Sequence, residues 1–176
     1  MLSKNMTEEL DLDIRYTRPM DGSYLKEWIM HPEVLSYFPM SDEKEVGDAV
    51  SCWISFSKYQ CSLTATIDHI PCAVATLFLM PYKKVSHHCS FKICVDPKRF
   101  RRGIGFSLLK NLKHLAKTYF HLEEIYIEVF GDNPLIHLLK KFDFYEFAKQ
   151  EKYVKVEGKY LPRTCFICKI DKEGES

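Results

Sequence analysis

The chain has 176 residues, 46% of them hydrophobic and 14% aromatic, and its 25 Lys+Arg against 24 Asp+Glu leave a formal net charge of +1. This is enough apolar material for a buried core and excludes a disordered or low-complexity chain. Near-neutrality excludes a global field that would draw in nucleic acid or an anionic membrane, so any anion site has to be a local cluster.

Met1–Asp13 is polar and acidic and carries no apolar signal core, so no secretory leader is expected. Leu12–Thr17 alternates weakly and reads as a first strand. Asp21 stands where an N-cap would open a short helix with Tyr24, Leu25, Trp28 and Ile29 on one face, interrupted at His31-Pro32. Asp42 followed three residues later by Glu45 has capping-box spacing for a helix to about Tyr59, with Val46, Val50, Trp53 and Ile54 as its stripe.

Cys61–Ile67 and Ile70–Met80 are β-rich and joined at Asp68-His69, which predicts a hairpin. The second is the longest apolar run and is too short to span a bilayer. His88–Val95 is a further strand, stopped by Asp96-Pro97. From Ile104, apolar residues at Leu108, Leu109, Leu112, Leu115, Ala116 and Tyr119 recur every three to four positions and predict an amphipathic helix. Glu123–Phe130 is a strand, Leu135–Phe142 a short helix, and Phe144–Val156 with Tyr160–Ile170 two strands around Gly158. With no repeat, linker or composition break, 1–176 reads as a single domain with a core of about 12–170. The order of elements predicts a mixed α/β fold: a central sheet of about six to seven strands flanked by about four helices.

The chemistry concentrates between Phe91 and Leu109, where a strand enters a basic, glycine-bearing turn and then a helix. The first amide groups of a helix lack intrahelical partners and its dipole adds partial positive charge there. Gly103 and Gly105 allow close approach of a diphosphate, and Arg101 and Arg102 add charge-assisted hydrogen bonds. The turn is not a P-loop, because Gly105 is followed by Phe106-Ser107 rather than Lys-Ser/Thr. Nor is it a dinucleotide fingerprint, whose third glycine position is Leu108.

Other residue groups have plainer readings. Cys165-Phe-Ile-Cys168 has metal or redox spacing, but no second Cys-x-x-Cys exists, so buried free thiols are expected and no metal site. Cys89 and Cys94 lack a paired base and read as apolar filler rather than nucleophiles. Tyr119-Phe120 and the Phe142–Phe147 aromatics read as core. An odd set of seven cysteines without dense spacing fits reduced thiols in a cytoplasmic protein.

Val95-Asp-Pro followed by Arg-Arg-Gly-Ile-Gly-x-x-Leu-Leu resembles the coenzyme A motif of the GNAT acetyltransferases. Arg15-Tyr-Thr-Arg-Pro-Met-Asp, Trp28, His31-Pro-Glu-Val and Trp53 resemble the subgroup related to ribosomal-protein N-acetyltransferases, and Asp132-Asn-Pro through Phe144 is similar to the family's Asn-containing segment. The resemblance implies a twisted sheet whose fourth and fifth strands splay around pantetheine. Ile93, Cys94 and Val95 would pair with it like an added strand. Arg101, Arg102, Gly103, Ile104, Gly105 and Phe106 would hold the pyrophosphate, with Asn133 as a polar contact.

It also implies acetyl-CoA as co-substrate and an amine acceptor, a protein N-terminus or a small amine, attacking the thioester directly. Neither nucleic acid nor membrane is an expected partner, and the protein would be a monomer or homodimer. The family's earlier Arg or Gln is here Phe100, its frequent glutamate base is Cys89 and its frequent tyrosine acid is Leu139. Glu128 and His88 are the remaining catalytic candidates, each with a surface or structural role as the plainer reading. A non-catalytic acyl-CoA-binding module, a sensor or scaffold, is the competing expectation.

Overall fold

The structure, a computed structural model, describes residues 11–170. Seven strands form one sheet: β1 (Leu12–Tyr16), β2 (Ser62–Ile67), β3 (Ile70–Leu79), β4 (His88–Val95), β5 (Glu124–Phe130), β6 (Tyr145–Val156) and β7 (Lys159–Lys169). Five α-helices accompany them: α1 (Asp21–Met30), α2 (Pro32–Leu35), α3 (Glu43–Ser55), α4 (Ile104–Thr118) and α5 (Leu135–Lys141). The spatial order is β1-β2-β3-β4-β5-β7-β6, antiparallel except at β4–β5. The mixed α/β sheet expected from the element order is therefore present, with five α-helices where about four were expected.

Local chemistry explains the turns. Asp68 and His69 both have positive φ, 50° and 66°, the two-residue connection whose twist matches a hairpin. Glu157-Gly158 does the same between β6 and β7, at 49° and 81°. Pro32 opens α2 at its first turn, where a missing N–H costs nothing, and so separates α2 from α1. Asp42 caps α3 by accepting from Glu45 N at 2.9 Å, while Glu45 reaches back to Ser41 N rather than to the cap residue itself. The last turn before β2, Phe56–Tyr59, tightens to a 3₁₀ helix.

Each face of the sheet carries its own core. On one, α4 buries Leu108, Leu109, Leu112, Leu115 and Ala116 against β2, β3 and β4. On the other, Leu25, Ile29, Val46, Val50 and Trp53 of α1 and α3 pack on Val74 and Cys94. Strands β2 and β3, covered on both sides, are buried almost throughout. Strand β6 closes the far edge and is exposed along nearly its whole length; its lysines and two register shifts blunt an edge that would otherwise template aggregation.

Three expectations are corrected. Asp21 is not an N-cap: Met20 holds that position, and Asp21 is the first residue of α1, buried to 1% exposure. Its carboxylate accepts from Arg15 Nη1 and Nη2 at 2.8 and 2.9 Å, from Arg18 N at 2.8 Å and from Thr64 Oγ1 at 2.9 Å. From Thr64 a chain of buried hydroxyls runs through Thr17, Ser62 and Thr76 to Trp53 Nε1, tying α1 and α3 to the sheet. Tyr119 caps α4 from outside its face, 57% exposed, and Tyr145 and Phe147 point to solvent on β6, because an edge strand leaves a face uncovered. Of the Phe142–Phe147 aromatics only Phe144 is fully core.

Candidate functional site

Strands β4 and β5 run side by side for three residue pairs, His88–Glu124, Cys89–Ile125 and Ser90–Tyr126, and then separate. Beyond them Phe91–Val95 remains paired with β3 and Ile127–Phe130 with β7. The edges that face each other across the gap thus have no strand partner. A wedge lined by free backbone donors and acceptors is a place where an extended, amide-bearing ligand can pair as a strand would.

The basic turn lies at the wide end. Asp96 accepts from Lys98 N at 2.9 Å and opens a short 3₁₀ turn, Pro97–Arg99. Arg101 and Gly103 both take left-handed φ, 60° and 76°, before α4 begins. The first α4 ladder bond is Ser107 N to Gly103 O at 3.0 Å, so the amides of Ile104, Gly105 and Phe106 precede the ladder, and no side chain caps them. These amides and the helix dipole make a preorganised anion cradle.

The two glycines serve different ends. At Gly103 a Cβ would meet nothing within 4 Å, so its requirement is the positive φ. At Gly105 a Cβ would stand 3.4 Å from Leu138 and 3.7 Å from Val95, so glycine keeps the gap between β4 and α5 open. If the ligand that the resemblance implies sits here, Gly105→Leu should weaken binding of coenzyme A by roughly tenfold or more through crowding. Calorimetry on a protein whose circular dichroism is unchanged would check it.

All ten residues expected at the cofactor site line one cavity of about 440 Å³: Ile93, Cys94, Val95, Arg101, Arg102, Gly103, Ile104, Gly105, Phe106 and Asn133. Asn133 does not point its oxygen outward; its Oδ1 accepts from Leu135 N at 2.9 Å and fixes the start of α5. The cavity adds residues that sequence reasoning missed. Glu33, Val34, Tyr37 and Phe38 form a wall from α2 and its exit, while His137, Leu138 and Lys141 come from α5. His137 and Lys141 are four apart on a helix and so share a face, a spacing visible in the sequence but without meaning until α5 is placed beside the turn.

Neither catalytic candidate lines this cavity. His88 opens β4, its ring 4.7 Å from that of His87 and 5.9 Å from that of Tyr126. Glu128 lies on β5 past the last β4–β5 pair, half-exposed, with Arg163 Nη1 donating to its Oε1 at 2.7 Å. The two positions where the family's acid and base were sought, Cys89 and Leu139, are both fully buried. Burial pushes the Cys89 thiol up to about 12 and Cys94 well above the ordinary thiol range, which leaves neither a nucleophile at neutral pH. Cys165 and Cys168, three apart on β7, fall on opposite sides of the strand, and none of the seven cysteines is joined in a disulfide. Among the described residues no cluster of metal-ligating side chains occurs, and no helix is long and apolar enough to cross a membrane.

A sequence model of the acetyltransferase (GNAT) family matches residues 20–144. The L-amino acid N-acetyltransferase AaaT of Escherichia coli (strain K12) is 29% identical over 100 residues, 56% of this chain and 62% of that protein, so the match spans less than two thirds of the relative's length. Among solved structures, yncA of Salmonella typhimurium, determined with its cofactor acetyl-CoA, superposes at a TM-score of 0.77 and 15% identity, covering 93% of this chain and 96% of that one. A ribosomal-protein-alanine N-acetyltransferase from Brucella melitensis gives a TM-score of 0.74 at 18% identity, over 89% and 99% of the two chains.

Proposed function

The chain belongs to the GNAT acetyltransferase family, and we propose that it transfers an acetyl group from acetyl-CoA to a primary amine. The observation that carries this reading is continuity: the uncapped amides at the start of α4, the exposed Arg101-Arg102 pair and the end of the β4–β5 wedge all border one cavity. A diphosphate on the amides and arginines leaves the pantetheine arm to run along the free edge of β4. A β4 amide facing the wedge can then polarise the thioester carbonyl and hold the oxyanion.

The reaction balances without a covalent enzyme intermediate. The amine nitrogen forms a C–N bond to the carbonyl carbon, the C–S bond breaks, coenzyme A leaves as the thiolate, and one proton passes from the nitrogen to solvent or a nearby base. The terminal α-amino group of a peptide, with an ordinary pKa of about 7.7–8.0 against about 10.4 for lysine, is the acceptor that needs least help, and a more basic small amine needs a group that takes its proton. The former suits a site whose two usual acid–base positions are the buried Cys89 and Leu139. The acceptor can be a protein N-terminus, as in the ribosomal-protein subgroup, or a free small amine. Seven cysteines outside any disulfide fit a reducing, cytoplasmic setting.

Thiol release measured with acetyl-CoA and a panel of amines tests the reading. Release that depends on the amine is the expected result. Tight binding of acetyl-CoA with no release from any amine would replace it with a non-catalytic, acyl-CoA-sensing role.

A further inference from the structure

On the sheet face that carries α1–α3, the core beneath those helices is built on β3 and β4, and a charged pair on β5 and β7 stays half-open beside the wedge. Glu128 lies two residues past the last β4–β5 pair and on the side of Tyr126, which is paired across the ladder with Ser90 of β4. Lys92, the next β4 residue on that side, has Nζ 5.2 Å from the Phe78 ring centre and 6.0 Å from that of Trp53. Arg163 donates from Nη1 to Glu128. Its guanidinium carbon sits 4.5 Å from the centre of the Tyr153 ring, and Tyr153 stacks on Phe130 at 5.7 Å.

Arg163 is thereby clamped by an aromatic ring and a carboxylate but poorly satisfied. Of the five N–H groups of a guanidinium, one has an acceptor among the described residues, and Nε is buried without one. A surface ion pair needs no such clamp to be indifferent to stability. A guanidinium held in place with donors to spare is the arrangement that recognises a carboxylate. The adjacent acid and base also complement a zwitterion, whose ammonium and carboxylate are close neighbours; the ammonium passes one proton to Glu128 or solvent before its nitrogen attacks, and the second leaves as the amide forms.

We infer that Arg163 binds the carboxylate of the acceptor, with Glu128 beside it facing the amine, so that the substrate class is free α-amino acids. This rests on the acetyl-transfer reading above. A protein N-terminus offers a less basic α-amine, but its nearest carbonyl is an amide and leaves Arg163 unmatched. A polyamine meets like charge from Arg163 and Lys92. The name of the E. coli relative, an L-amino acid N-acetyltransferase, agrees with this choice.

The test uses the full chain, acetyl-CoA and matched acceptors: L-amino acids, their carboxamides, and dipeptides with the same first residue. Each free amino acid should exceed its carboxamide by about 50-fold in kcat/KM, mainly through KM. R163Q should bring that ratio close to one and R163K should restore part of it, while the Kd for acetyl-CoA stays within about twofold. Equal kcat/KM for acid and carboxamide in the unaltered protein, or a preference for dipeptides, would overturn the Arg163 assignment and leave acetyl transfer standing. Absence of thiol release from every amine would overturn acetyl transfer and this inference with it. The comparison in the unaltered protein does not depend on how the variants fold.

Discussion

Replacing both Arg101 and Arg102 with glutamate should raise the Kd for acetyl-CoA more than 100-fold and leave the fold intact. Two charge-assisted hydrogen bonds to a diphosphate contribute together about 3 kcal/mol or more, and at 1.4 kcal/mol per tenfold the loss exceeds two decades. Two introduced negative charges beside the same anion add repulsion. Both arginines are exposed and line the cavity rather than the core, so the melting temperature should move by no more than about 2 °C. Calorimetric titration with coenzyme A at two salt concentrations measures the first effect, and screening predicts that the deficit shrinks at the higher one. Unchanged affinity would remove the pyrophosphate from this turn.

The second large effect is on stability and lies far from the turn. Asp21→Ala leaves the Arg15 guanidinium, the Arg18 amide and the Thr64 hydroxyl without their shared acceptor in a nearly sealed site. Removing one partner of a buried ion pair costs about 3–5 kcal/mol, which for a chain of this length lowers the melting temperature by roughly 10 °C.

The pH dependence of that loss has a definite sign. Burial works to raise the Asp21 pKa, but hydrogen bonds from Arg15, Arg18 and Thr64 outweigh it and hold the carboxyl below its ordinary 3.8. A group whose folded pKa is lowered stabilises fully above its unfolded value, and that contribution fades as pH falls through the folded one. The difference between the native chain and Asp21→Ala should therefore be constant near neutrality and narrow below about pH 4. Urea unfolding at pH 7 and at pH 3 checks this, and a gap of equal size at both would show that Asp21 acts through packing alone.

The fold was legible where one periodicity dominated. The α4 stripe as far as Ala116, the Asp68-His69 hairpin and the stop at Asp96-Pro97 all stand where the residues place them, because each is decided within a few positions. Side-chain partners across long separations were not legible. Asp21 has the identity of an N-cap residue, and nothing nearby indicates that Arg15 and Thr64 will claim its carboxylate. Tyr145 and Phe147 look like core until the strand order puts β6 at the edge.

The site divided in the same way. Its turn and strand end are contiguous from Ile93 to Phe106 and could be read together. The α2 wall of Glu33, Val34, Tyr37 and Phe38 and the α5 pair His137 and Lys141 come from separate segments that only the folded chain brings to the turn. Arg163 gave no local signal at all, since an arginine in an alternating strand looks like any solvated charge.

The three β4–β5 pairs also have a mechanical meaning. Among the described residues they are the only ladder joining the four-strand half from β1 to β4 with the three-strand half of β5, β7 and β6. The two halves are leaves of a book bound at one end of its spine. A molecule that hydrogen-bonds to both leaves beyond the binding would fix the angle at which the book stands open, and with it the distance between whatever each leaf carries.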